Sequence, residues 1–199
     1  MISIGLTGGI ASGKSVVSKL LAGRGARVVD VDKVAQETYR SGTEGFAALR
    51  AAFGDQVVGA DGEIDRRVLG GIVFGQPEEL ARLTDIVWPR TRARLEEMKA
   101  EAAERTGVLV FEAAVLIEAG WWDLVDQVWV VTAPIGLARE RLIARNGLTR
   151  EQADARINSQ MTNEERIPFA DVVIENGGDL ETLAKRVDAA WTALTANVG

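Results

Sequence analysis

The sequence predicts an α/β protein, a parallel sheet of five short strands covered by helices on both faces. Two observations predict it. Apolar, β-branched runs too short to be helices recur along the chain, and stretches of helical character separate them. The first of these runs passes into a helix through a glycine-rich turn at residues 7–13.

Taken in order, residues 2–6 form the first apolar run, and residues 14–22 have helical character. Residues 27–31 are short and β-branched and read as a second strand; residues 108–111 and 128–131 read as a third and fourth. Residues 172–174, ended by Asn176-Gly177-Gly178, give the fifth. Helices are predicted over 139–146, 149–161 and 180–194, and Thr149 with Gln152 has the spacing of a capping box. Residues 34–105 break the alternation. They are mostly helical, with turns at Gly42, Asp61-Gly62 and Gly75-Gln76-Pro77, and read as an insertion between the second and third strands. The chain shows no internal repeat and no low-complexity tract.

Composition narrows the chemistry. The 199 residues include neither cysteine nor histidine, so disulfides, thiol nucleophiles, imidazole metal ligands and a Ser-His-Asp triad are all excluded. Acid–base work must fall to Asp, Glu, Lys, Tyr or a bound metal. With 23 Lys+Arg against 29 Asp+Glu the net charge is −6, which argues against gripping nucleic acid by bulk charge. No basic segment followed by an apolar one opens the chain, and no apolar run reaches membrane-spanning length. The expectation is a soluble cytoplasmic protein with no nucleic-acid or membrane partner.

Gly8-Gly9-Ile10-Ala11-Ser12-Gly13-Lys14-Ser15 matches G-x-x-x-x-G-K-[ST], the phosphate-binding loop. Glycines at both ends let consecutive N–H groups face inward, and the following helix aims its positive end at the same point. Lys14 would bring a full charge to the β- and γ-phosphates and Ser15 a hydroxyl to Mg²⁺. The predicted architecture is thus the P-loop nucleoside-triphosphate hydrolase fold.

Asp30-Val31-Asp32 closes the second predicted strand, where alternation puts both carboxylates on one face. Either can serve as a general base or in the outer shell of Mg²⁺, or can cap the next helix; beside a phosphate loop, Asp32 is favoured for function. The third strand ends in Glu112, and Glu118 follows six residues on; both are candidates for the metal or for an arginine partner. Arg139, Arg141, Arg145, Arg150 and Arg156 cluster in one helical segment and suit a lid over transferring phosphate. Ordinary surface pairing with Glu140, Glu151 and Asp154 is the competing reading, for about three of the five. Arg66-Arg67 can meet a second substrate's phosphates or simply be solvated. Trp88, Trp121, Trp122 and Trp129 read as core or interface.

With these residues in view, the chain resembles the dephospho-coenzyme A kinase family. The resemblance rests on residues 6–15, Val29-Asp30-Val31-Asp32, Ile64-Asp65-Arg66 with Leu69 and Val73-Phe74, and Leu116-Ile117-Glu118. It continues through Arg141, Arg145, Arg156 and Gln160 to Ala170-Asp171-Val172-Val173-Ile174 with Asn176-Gly177. It implies transfer of the ATP γ-phosphate to the ribose 3′-hydroxyl of dephospho-CoA, with ATP and Mg²⁺ bound. Asp32 matches the family's general base, with Lys14 and Arg141 as further catalytic residues. Gly8, Gly9, Ile10, Ala11, Ser12, Gly13, Lys14, Ser15, Val16 and Asn176 match the nucleotide site. Asp32, Arg66, Glu118, Arg156 and Gln160 match the acceptor site, and Ser15 and Glu112 the metal site. The single domain implied has a core at about 1–33, 106–138 and 166–199, a CoA-binding helical insertion at about 34–105 and a lid at about 139–165, as a monomer or small homo-oligomer.

There are departures. The family usually has His-Pro where this chain has Trp88-Pro89, and Pro-Leu-Leu before the glutamate where it has Ala114-Val115-Leu116-Ile117. Residues 113–121 and 83–89 look more like the kinase half of the bifunctional animal CoA synthase, and a kinase with a single activity is expected. Another small-metabolite kinase is the nearest alternative. A GTPase would need Asn-Lys-x-Asp, and Asn176-Gly177-Gly178-Asp179 lacks the Lys.

Overall fold

The computed structural model describes residues 1–104 and 107–196. The predicted boundaries at 105, 106 and 199 therefore lie outside the described residues. In chain order the elements are β1 (Ile2–Gly8), α1 (Lys14–Gly23), β2 (Arg27–Asp30), α2 (Val31–Glu37), α3 (Glu44–Phe53), α4 (Arg66–Val73) and α5 (Pro77–Ala103). There follow β3 (Val108–Glu112), β4 (Gln127–Thr132), α6 (Ile135–Asn146), α7 (Arg150–Asn158), α8 (Asn163–Arg166), β5 (Val172–Glu175) and α9 (Leu180–Ala196).

The five strands form one sheet in the order β2-β3-β1-β4-β5. β1 runs parallel to β3 and β4, pairing Ile4 with Val110 and Gly8 with Val131, and β4 runs parallel to β5. The strands are apolar almost without alternation because both faces are covered: Ile4, Leu6, Val110, Trp129 and Val131 are all buried. Each such aliphatic side chain contributes about 1.5–3 kcal/mol by leaving water. Asp171 ties the last strand on. Its N–H donates to the Val128 carbonyl at 2.9 Å, and its carboxylate accepts the Val128 N–H at 2.7 Å.

The chain divides into two compact units, residues 1–29 with 102–199, and residues 30–101. The first holds the sheet core with α1 and α9. The second has a core of its own around Leu49, Phe53, Val57, Leu69, Val73 and Val87. Its turns fall where the sequence puts them, and Gly42, Gly62 and Gly75 all take left-handed conformations there.

One local expectation is corrected. The second strand stops at Asp30, and Val31 already starts a helix. The Asp30 carboxylate accepts the Lys33 N–H at 3.2 Å, the bond that caps α2. Asp30 and Asp32 are thus a cap and a first-turn residue, not alternating positions on a strand. Among the described residues no helix is long and apolar enough to cross a membrane.

Candidate active site

The phosphate loop joins β1 to α1. Each glycine the motif requires meets a specific obstacle. A Cβ on Gly8 would stand 2.2 Å from the Val131 carbonyl oxygen of the neighbouring strand. Gly13 has φ 98°, and a Cβ there would stand 2.0 Å from Asn176 Nδ2. Between them Ala11 is the one described non-glycine with positive φ, at 58°, which costs about 1–2 kcal/mol. Such strain is retained where a loop is held for a ligand.

No side chain caps the start of α1, and no acidic residue lies in its first turn. Its leading N–H groups and dipole are left to whatever sits in the loop. Lys14 Nζ donates to the Gly8 carbonyl at 2.8 Å, which folds the ammonium back over the loop. The buried Ser12 Oγ has no hydrogen-bond partner among the described residues. An uncapped helix start and an orphaned hydroxyl beside it together fit a polyphosphate.

Glu112 ends β3 at the same sheet edge. It accepts the Ser15 hydroxyl at 3.2 Å and the Ser18 hydroxyl at 2.5 Å. Of the two candidate carboxylates, this one is therefore brought to the loop serine. Glu118 instead meets Arg166, Nη2 to Oε1 at 3.3 Å. Ser15 with Glu112 offers a hydroxyl and a carboxylate oxygen, the donor set of a magnesium that keeps most of its waters. No group of three or more Asp or Glu that could hold a metal occurs among the described residues.

Asn176 is buried under the loop. Its Nδ2 donates to the Ser12 carbonyl at 2.7 Å, and its backbone N–H donates to the Thr132 carbonyl at 2.7 Å. Arg141 donates to both its Oδ1 and its carbonyl, each at 3.3 Å. These contacts join the loop, the end of β4 and α6. Gln160 also reaches the loop, where its Oε1 accepts the Ile10 N–H at 2.8 Å.

The remaining arginines of the segment divide as surface pairing predicts. Arg139 bonds Asp154, Arg150 lies 4.0 Å from the same carboxylate, and Arg145 donates to Asn146. Arg156 is exposed on α7. Thr149 and Gln152 form the predicted capping box.

In the second unit Asp32 is exposed in the first turn of α2, and Arg66 is exposed at the start of α4, whose cap is Asp65. Both act electrostatically on Tyr39. Burial pushes the Tyr39 hydroxyl's pKa up, Arg66 draws it down and Asp32 adds to the rise. The three residues thus share one neighbourhood.

Sequence reasoning missed Tyr39 and Arg166. Arg166 is 1% exposed, and burial lowers its pKa against the field of Glu118. One signal could have found it: Thr162-Asn163-Glu164-Glu165 is a second capping box, and it seats Arg166 one residue later.

The dephospho-CoA kinase family model matches residues 2–182. The chain belongs to the dephospho-CoA kinase family. It is 44% identical over 194 residues to a dephospho-CoA kinase of Thermobifida fusca, covering 98% of this chain and 96% of that one. A solved dephospho-CoA kinase from Campylobacter jejuni superposes with a TM-score of 0.74 at 26% identity, over 99% and 98% of the two chains. A shikimate kinase from Bacteroides thetaiotaomicron shares the fold alone, with a TM-score of 0.52 at 15% identity and 98% coverage of both chains. Membership in the dephospho-CoA kinase family makes this chain a phosphotransferase with a P-loop nucleotide site, and the family reaction is the last step of coenzyme A synthesis. The tryptophan at the family's His-Pro position, Trp88, is half-buried in α5.

Proposed function

We propose that this chain phosphorylates the ribose 3′-hydroxyl of dephospho-CoA with ATP and Mg²⁺, in the cytoplasm, giving coenzyme A and ADP. The observation that carries it is the uncapped, strained loop with Lys14 folded over it, in a chain whose residues 2–182 match the family. Amides of the loop and of the first turn of α1 cradle the phosphates, and Lys14 offsets their charge. Ser15 and Glu112 would hold Mg²⁺, which when bound neutralises charge on the β- and γ-phosphates. Asp32 accepts the proton of the 3′-hydroxyl. The ribose oxygen bonds the γ-phosphorus as its bond to the β–γ bridging oxygen breaks, and ADP leaves.

On the acceptor side Arg66 faces the phosphates of dephospho-CoA. Tyr39 stays protonated there and offers a hydroxyl beside Asp32. Asn176, with both ends of its amide engaged, acts as a strut that keeps the loop open. The helical insertion carries the acceptor, and residues 139–165 close over the nucleotide.

ADP release in a coupled assay with dephospho-CoA, AMP and adenosine as acceptors tests this. Turnover is expected with dephospho-CoA and at most traces with the others. Equal or faster turnover with AMP would overturn the assignment.

A further inference from the structure

Arg166 combines three properties that a surface arginine lacks. Its side chain is almost wholly buried, it stands at the phosphate loop, and it is incompletely paired. A Cβ placed on Gly9 would lie 3.5 Å from its Nη1. Gly9, Ser12, Gln160 and Arg166 line one cavity, the mouth of the loop. Nη1 donates to the Met161 carbonyl and Nη2 to Glu118 at 3.3 Å, while the buried Nε has no partner among the described residues.

The counterion is equally incomplete. Among the described residues Glu118 Oε2 is buried without a partner, and so is Ser12 Oγ, which lines the same cavity as Arg166. A buried ion pair stabilises a fold only when its geometry is good and its remaining lone pairs and protons are satisfied. At 3.3 Å the Arg166–Glu118 bond is longer than the 2.7–2.9 Å or so of a firm charge-assisted contact. As a structural staple the pair is poor. As a cation stored for an anion it makes physical sense: the guanidinium is desolvated in advance, Nη1 is fixed on the Met161 carbonyl, and only the Nη2 contact to Glu118 is long.

The backbone beneath it is fixed. The Thr162–Glu165 capping box closes α8, and Asn163 Nδ2 donates to the Ala133 carbonyl just beyond β4 at 3.2 Å. The other arginines of this region are engaged with Asp154, Asn146 and Asn176 or are exposed.

We propose that Arg166, stored against Glu118, is the cation that meets the terminal phosphate of bound ATP. The assignment rests on the nucleotide-site reading above. It adds the residue that discriminates ATP from ADP and stabilises charge on the phosphoryl group in transfer. Glu118 holds the guanidinium in place until the nucleotide arrives.

The test uses the full-length protein. Removing Arg166 alone would strand Glu118, so Arg166→Met/Glu118→Gln is compared with Glu118→Gln. The double variant is expected to lower kcat about 10²-fold or more relative to the single one. Its affinity for AMP-PNP, measured by calorimetry, is expected to fall about tenfold while that for ADP stays within about threefold. Arg166→Lys, which keeps the charge and loses the fork, is expected to retain more turnover than the methionine variant. A double variant with kcat within about threefold of its reference would reduce the pair to a structural contact. Equal losses for ADP and AMP-PNP would overturn the terminal-phosphate role. Lys14→Ala serves as the control: if it leaves turnover and ADP binding intact, the nucleotide-site reading falls first, and Arg166 falls with it.

Discussion

Residues 8–15 lead from β1 into α1, residues 30–39 run from the end of β2 through α2, and the two prepare for a ligand in opposite ways. The first segment works through its backbone. It leaves its helix uncapped and takes left-handed conformations at Ala11 and Gly13. The second works through side chains. Asp30 caps its helix, Asp32 is left exposed, and Tyr39 sits half-buried under the influence of Asp32 and Arg66. An uncapped helix start is an anion site, whereas a capped one has spent its amides and can offer only what its side chains carry. The proposed reaction accordingly asks phosphate recognition of the first segment and proton transfer of the second.

The sharpest way to break that contrast is Asp32→Asn. It is expected to lower kcat by about 10²–10⁴-fold with ATP affinity little changed, as for loss of a general base. Steady-state kinetics with ATP titrated against saturating acceptor checks it; near-normal kcat would move the base elsewhere. Gly13→Ala acts on the other segment. The new methyl meets Asn176 at 2.0 Å on a backbone with φ 98°, and overpacking with strain costs about 1–3 kcal/mol. A lower thermal midpoint together with a raised KM for ATP is expected, and an unchanged KM would mean the loop tolerates the shift.

Asp30→Ala should separate capping from chemistry. Loss of the α2 cap costs about 1 kcal/mol, and denaturant unfolding should show it while Asp32→Asn leaves stability nearly intact. If Asp30→Ala instead abolishes turnover without destabilising, the two aspartates have been assigned the wrong way round.

The smallest effect is on acid stability. Hydrogen bonds from Thr162 hold the Glu165 carboxyl below its ordinary 4.5, and those from Thr182 hold Asp179 below 3.8. A carboxyl lowered in the folded state binds fewer protons than in the unfolded state. Its contribution is complete above the unfolded value and disappears as pH falls through the folded one. The thermal midpoint should stay level down to about pH 5 and fall below it. Glu165→Gln, which caps without titrating, should make that fall shallower; an unchanged slope would remove the α8 cap from the account.

Much of the fold can be read along the chain, because strands buried on both faces are continuously apolar and their glycine-rich exits are local signals. The capping box at Thr149, the strand at 172–174 and the turns at Gly42, Gly62 and Gly75 all belong to this class. The end of the second strand was harder to read. Asp is equally suited to closing a strand and to opening a helix, and only the bond to the Lys33 N–H decides between them.

Sequence by itself determined the phosphate loop, since contiguous residues supply all of its amides, its lysine and its hydroxyl. It left Glu112 and Glu118 equivalent, gave Asn176 no partner and passed over Arg166. Tertiary structure decided these. The order β2-β3-β1-β4-β5 puts the ends of β3 and β4 on either side of β1. Glu112 thereby meets Ser15, 97 residues earlier, and Asn176 meets Ser12, 164 residues away. Local patterns record backbone preference and burial. Which distant side chains share a proton or a charge depends on how the strands are ordered, and no short stretch of sequence carries that order.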